Sequence, residues 1–146
     1  MIVAFYKGTR PGIHGIYNRG VRGVTHGPHS HCELIFNNGE SASSSFADGG
    51  VRFKRISYST LSNWDFVHIP DSLEANARKW FEDHEGEGYD LLGNVHFLIP
   101  LVRDSKNKSC CSEALSASLG IRDAWRFNPN DLYAILNSFY KVEGRA

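Results

Sequence analysis

The chain has 146 residues, a length suited to one domain spanning 1–146, and a chain of this size buries roughly 70% of the surface its unfolded form exposes, so a core needs no covalent staples. Its 41% hydrophobic and 22% charged residues are ordinary for a globular protein, and 16 Lys and Arg offset 16 Asp and Glu, which removes any general pull toward nucleic acid or an anionic membrane. Three cysteines, Cys32, Cys110 and Cys111, two of them adjacent, do not form a disulfide framework and point to a reducing compartment.

Met1 to Tyr6 is too short for a membrane span, and no charged region precedes it, so it is not read as a signal peptide. With the cysteine usage, this predicts a cytoplasmic protein. Residues 2–6 read instead as a first strand. Residues 8–30, rich in Gly, His and Arg, predict a long loop with a short helix around 13–19. Residues 31–36 (HCELIF) predict a second strand, Asn37, Asn38 and Gly39 a hairpin turn, and 40–46 the returning strand. Residues 51–56 and 62–69 predict two more strands. Asp71 as N-cap and Glu74 three residues on predict a capping box opening a helix to about residue 84, with Leu73, Ala77, Trp80 and Phe81 on its apolar face. Tyr89 to Leu101 is compatible with helix or strand, and Lys106 to Ser109 reads as a polar loop. A helix from Cys110 or Cys111 to Leu119 closes at Gly120, and Asn128-Pro129 opens a last one. Several antiparallel strands with three helices define an α+β fold.

The chemistry concentrates at two places. A thiol in the first turn of the helix after Ser109 meets the positive end of the helix dipole and unpaired backbone N–H groups, both of which favour thiolate. Cys111 shares a helical face with Ala114, Leu115 and Ser118, and Cys110 lies about 100° away. The base candidate is His31. Alternation puts His31, Glu33 and Ile35 on one strand face, and Cys32, Leu34 and Phe36 on an apolar one. Cys32 therefore reads as a core residue pointing away from His31. Glu33 is the first choice for a group orienting the imidazole. If Asn38-Gly39 is a two-residue turn, Ser44 lies opposite Glu33 and is the second choice, and Glu40, nearer the turn, is the third.

Three motifs stand in order: Ser30-His31-Cys32-Glu33-Leu34, Tyr89-Asp90-Leu91-Leu92-Gly93 and Cys111-Ser112-Glu113. Together they resemble the circularly permuted branch of the NlpC-type, papain-like hydrolases, the YiiX-like members above all, in which the His strand precedes the Cys helix. The resemblance spans nearly the whole chain. It implies an antiparallel sheet packed against a helix that carries the nucleophile, with Cys111 as nucleophile, His31 as base and Glu33 after it. It implies cleavage of a peptide or cell-wall-type amide through a thioester, with no cofactor or metal. Lipid acyl transfer or thioester hydrolysis, as in relatives such as lecithin retinol acyltransferase, is the alternative, and a binding protein that kept the fold without the chemistry is another. The partner is thus a peptide, amide or acyl substrate.

Two further readings compete. His26, His29, His31 and Cys32 are dense enough to raise zinc, but neighbours on a strand face opposite sides and do not easily share one ion. Lys7, Arg10, Arg19 and Arg22 raise nucleic acid, but no nucleic-acid motif accompanies them and they read as a solvated loop face.

Overall fold

Strand β1 (Ile2–Tyr6) is apolar throughout, and it becomes an inner strand of the sheet. Its side chains divide by alternation. Val3 and Phe5 enter one apolar cluster, Ala4 and Tyr6 the other. The computed structural model of the protein describes residues 1–89 and 108–140. Over these, β1, β2 (His31–Ile35), β3 (Ser41–Ser45), β4 (Gly50–Lys54) and β5 (Trp64–His68) form an antiparallel sheet, extended by β6 (Gly88–Tyr89) and β7 (Lys108–Ser109) in the order β5-β1-β2-β3-β4-β6-β7. The short β6–β7 pair is parallel. The α+β class is as expected.

The helices among the described residues are α1 (Ile13–Thr25), α2 (Glu74–Asp83), α3 (Cys111–Ser118) and α4 (Pro129–Phe139). Ala77 and Phe81 of α2, Cys111, Ala114 and Leu115 of α3, and Leu132 and Leu136 of α4 pack with Val3, Phe5, Cys32 and Leu34 into the main core. The other sheet face is covered by aromatic side chains. Tyr58 lies edge-on to Trp64 and Phe66, with ring centroids 4.9 and 5.9 Å away, and its hydroxyl is 2.9 Å from Ser41 Oγ.

Several local expectations change. The helix around 13–19 runs on to Thr25, held over its later turns by polar contacts that only the fold supplies: Asn18 is buried on Ser30, and Arg22 donates to the Lys7 and Gly8 carbonyls and to Thr9. The capping box at Asp71 does not form. Asp71 to Leu73 is a 3-10 turn, the Asp71 carboxylate takes the N-terminal ammonium, and Glu74 accepts from the Asn37 amide at 3.3 Å. Lys108 and Ser109 are strand rather than loop, and residues 106 and 107 lie outside the described residues, as does all of 89–101 beyond Tyr89. The last helix begins as expected: Asn128 Oδ1 accepts from the amides of Asn130 and Asp131 at 2.9 and 3.1 Å.

Candidate active site

The hairpin between β2 and β3 decides which groups can meet His31. Its loop is three residues long, Asn37 to Gly39, closed by Phe36 N–H on the Glu40 carbonyl at 2.9 Å and by Gly39 N–H on the Phe36 carbonyl at 2.9 Å. Gly39 takes φ +79°, a conformation that costs glycine little. The register is therefore Leu34↔Ala42 and Ile35↔Ser41, one residue away from that of a two-residue turn. Such a slip turns every β3 side chain to the opposite face. Ser44, expected opposite Glu33, instead pairs with Val51 and shares its face with Ala42, on the helix-covered side. Glu40 is also removed from the site, because it pairs with Arg78 at 3.0 Å.

The ladder between β2 and β3 stops at Leu34↔Ala42, while β2 stays paired to β1 as far as Tyr6↔His31. Since Phe36 N–H bonds toward β3, alternation aims the Cys32 amide and carbonyl the same way, into the opening. The carbonyl accepts from Ser43 Oγ at 2.7 Å. The Cys32 backbone is also one of the groups that lower the thiol of Cys111, the first residue of α3. Cys111 thus sits where the sheet parts, and it interacts with the Cys32 thiol from the core side and with the His31 ring. The sequence reading of Cys32 as a core residue holds, but its thiol and amide also belong to the surroundings of Cys111.

The start of β2 is pinned from both sides. Ser30 N–H bonds to the Tyr6 carbonyl at 2.9 Å, and Ser30 Oγ accepts from Asn18 of α1 at 3.0 Å. Asn130 of α4 takes the His29 amide at 2.9 Å and donates to the His29 carbonyl at 3.0 Å. His29 itself is buried between Phe5 and Tyr133, with Nε2 2.8 Å from Asp65 and Nδ1 3.1 Å from Asn130. Its two nitrogens are therefore engaged in structure. His26 is exposed on a loop, with Nδ1 3.1 Å from the Val24 carbonyl. Among the described residues, no three His, Cys, Asp or Glu side chains converge so as to hold a metal.

His31 Nε2 is 2.7 Å from Glu33 Oε1. Glu33 is fully buried, and Arg52 of β4 grips both its oxygens, at 2.7 and 2.6 Å. A fork of this kind satisfies a carboxylate and fixes its plane. Arg52 is held in turn by Asp48 at 2.8 Å, and Asp48 by Lys54 at 2.8 Å. Alternating charges thus run from the imidazole to the surface. Sequence reasoning missed Arg52. The available signal was a lone Arg between Val51 and Phe53 in a strand, two strands from a buried Glu.

These contacts set the protonation states. Burial acts against charge on His31, but Cys111 and then Glu33 outweigh it and raise the ring to about 9. Burial likewise opposes charge on Glu33, but the Arg52 hydrogen bonds dominate and hold it below the usual carboxylate range. Cys111 is held well below an ordinary thiol by the Cys32 thiol donating to it, and then, against its burial, by His31. Cys110 goes the other way. Burial and the neighbouring Cys111 push it up to about 12, and its Sγ lies 3.5 Å from Ser112 Oγ. The two adjacent cysteines are therefore chemically unlike: one favours thiolate, the other thiol.

A cleft of about 20 Å³, room for little more than a water molecule, reaches His31 between α1 and the β3–β4 turn, with Arg10, His14, Tyr17 and Phe46 among its walls. Of the expected site residues, the structure brings Cys111, His31 and Glu33 together and leaves Ser44 and Glu40 apart. The Tyr89-to-Gly93 motif lies outside the described residues beyond Tyr89. No protein-family model matches the chain, and no curated protein matches it. No helix among the described residues is long and apolar enough to cross a membrane.

Proposed function

We propose that the protein is a cysteine hydrolase of the permuted papain-like kind, cleaving an amide bond through a thioester on Cys111. The observation that carries this reading is the meeting of the Cys111 sulfur, at the head of α3, with an imidazole whose other contact is a buried, Arg-clamped carboxylate. The resting state is a thiolate beside an imidazolium. The sulfur attacks the carbonyl carbon, and its π electrons move to the oxygen. N–H groups of the first α3 turn, which have no partner within a helix, stabilise that oxyanion. As the carbon–nitrogen bond breaks, His31 gives its proton to the departing amine. Neutral His31 then takes a proton from water, which attacks the thioester. The acid leaves, and thiolate and imidazolium are restored. An alcohol or amine in place of water would make the same site an acyltransferase.

The test is thiol labelling with mass mapping. Cys111 should react at about pH 6 far faster than a free thiol, which is protonated there, while Cys110 stays unmodified. Cys111→Ala should abolish turnover and labelling with the fold intact, and Cys110→Ala should keep most of both. Labelling of Cys111 no faster than that of a free thiol would instead identify a binding protein that has the fold without the chemistry.

A further inference from the structure

We infer that Arg10, on the wall of the cleft beside His31, pairs at the cleft's mouth with a substrate carboxylate, so that the substrates of Cys111 carry an anionic group close to the scissile carbonyl. This deepens the reading of Cys111 as nucleophile and rests on it. The chain is neutral overall, but its charge is sorted along its length. The first 32 residues include Lys7, Arg10, Arg19 and Arg22 and neither Asp nor Glu. That stretch supplies one whole wall of the cleft, and among the described residues none that lines the cleft is acidic.

Among the described residues the carboxylates near the site are already engaged: Glu33 by Arg52 and His31, Asp48 by Arg52 and Lys54, Asp65 by Lys7 and His29, and Glu113 by the Cys110 amide. Among the described residues Arg10 forms no ion pair. Its guanidinium lies 5.5 Å from the centre of the Tyr6 ring. Arg22, by contrast, is spent on the backbone of the loop that carries Arg10. That loop is seated firmly. The Arg10 amide donates to Asn18 Oδ1 at 3.2 Å, and a Cβ at Gly15 would run into the Arg10 carbonyl. A guanidinium presented by a fixed loop matches the two oxygens of a carboxylate. Across the cleft, Phe46 packs on Tyr17 and His14, with centroids 5.5 and 5.6 Å away. Apolar rings lower the local dielectric and strengthen such a pairing.

Two alkylating reagents of nearly one size test this, iodoacetate carrying a carboxylate and iodoacetamide none. The ratio of their rates at Cys111 should exceed that for a free thiol, and Arg10→Gln should lower it about fivefold, the scale of a screened ion pair. Arg10→Lys should recover part of the loss. Arg19→Gln, on the exposed side of α1, should leave the ratio as it was. An unchanged ratio in Arg10→Gln, or an equal loss in Arg19→Gln, overturns the proposal while fast labelling of Cys111 still stands. Slow labelling by both reagents overturns the hydrolase reading and this one with it. Peptide amides then separate the sources: a preference abolished by amidating the C-terminus assigns a chain-end carboxylate, and one abolished by replacing Asp with Asn in the peptide assigns an acidic side chain. Loss of preference with neither change also counts against the proposal.

Discussion

At the scale of single residues, the site is a row of charges in which each member depends on the next. His31→Ala should slow turnover by at least about 10²-fold, the usual loss when a general base is removed. In the proposed mechanism the proton on His31 goes to the leaving group, and the ring is held at about 9, so the rate should fall as pH rises through that value. Glu33→Gln removes a negative charge that helps to raise the ring. It should move this alkaline limb to lower pH, which a pH–rate profile reads directly, whereas loss of packing alone would lower the rate without moving the limb. Arg52→Gln leaves a buried carboxylate without its clamp. It should cost about 3–5 kcal/mol, the range for breaking a buried pair from one side, measured as a shift in the urea midpoint.

At the scale of elements, the hairpin loop and the helix starts do the positioning. Asn128→Ala removes the acceptor of two amides at the head of α4 and should cost about 1 kcal/mol in denaturant unfolding. This start was legible because Asn-Pro before an apolar run is a local signal. The strands 2–6 and 31–36 and the Cys111 helix were legible for the same reason. So was Glu33 as partner to His31, since alternation along one strand needs no knowledge of its neighbours. Ser44 was misplaced because register depends on loop length, and Asn37-Asn38-Gly39 is compatible with two or three loop residues until the strands pair. Arg52 was legible only as a lone Arg in an apolar strand, and its partner was not, because the meeting with Glu33 spans three strands. Asp71 looked like a helix cap, but the chain's own amino terminus comes to it across the fold.

At the scale of the whole molecule, the sheet separates two kinds of work. Its helix-covered side holds the apolar core, and its other side holds the ionic row and the aromatic cover. Glu33, paired with Arg52, and Asp65, paired with Lys7 and His29, both lie below their ordinary range. A group depressed on folding stabilises the native state above its unfolded pKa and loses that contribution as pH falls through the folded value. Stability should therefore hold above about pH 5 and decline steadily below about pH 4, where unfolded carboxylates take up protons. A flat urea midpoint between pH 5 and 3 would contradict these pairings. The gap between β2 and β3 has one more consequence. The Cys32 backbone is among the groups that hold the Cys111 thiol down, so its amide resonance is a reporter built into the chain: isotope labelling alone, with no added dye or inhibitor, should let an observer follow the ionisation of that sulfur from within the sheet.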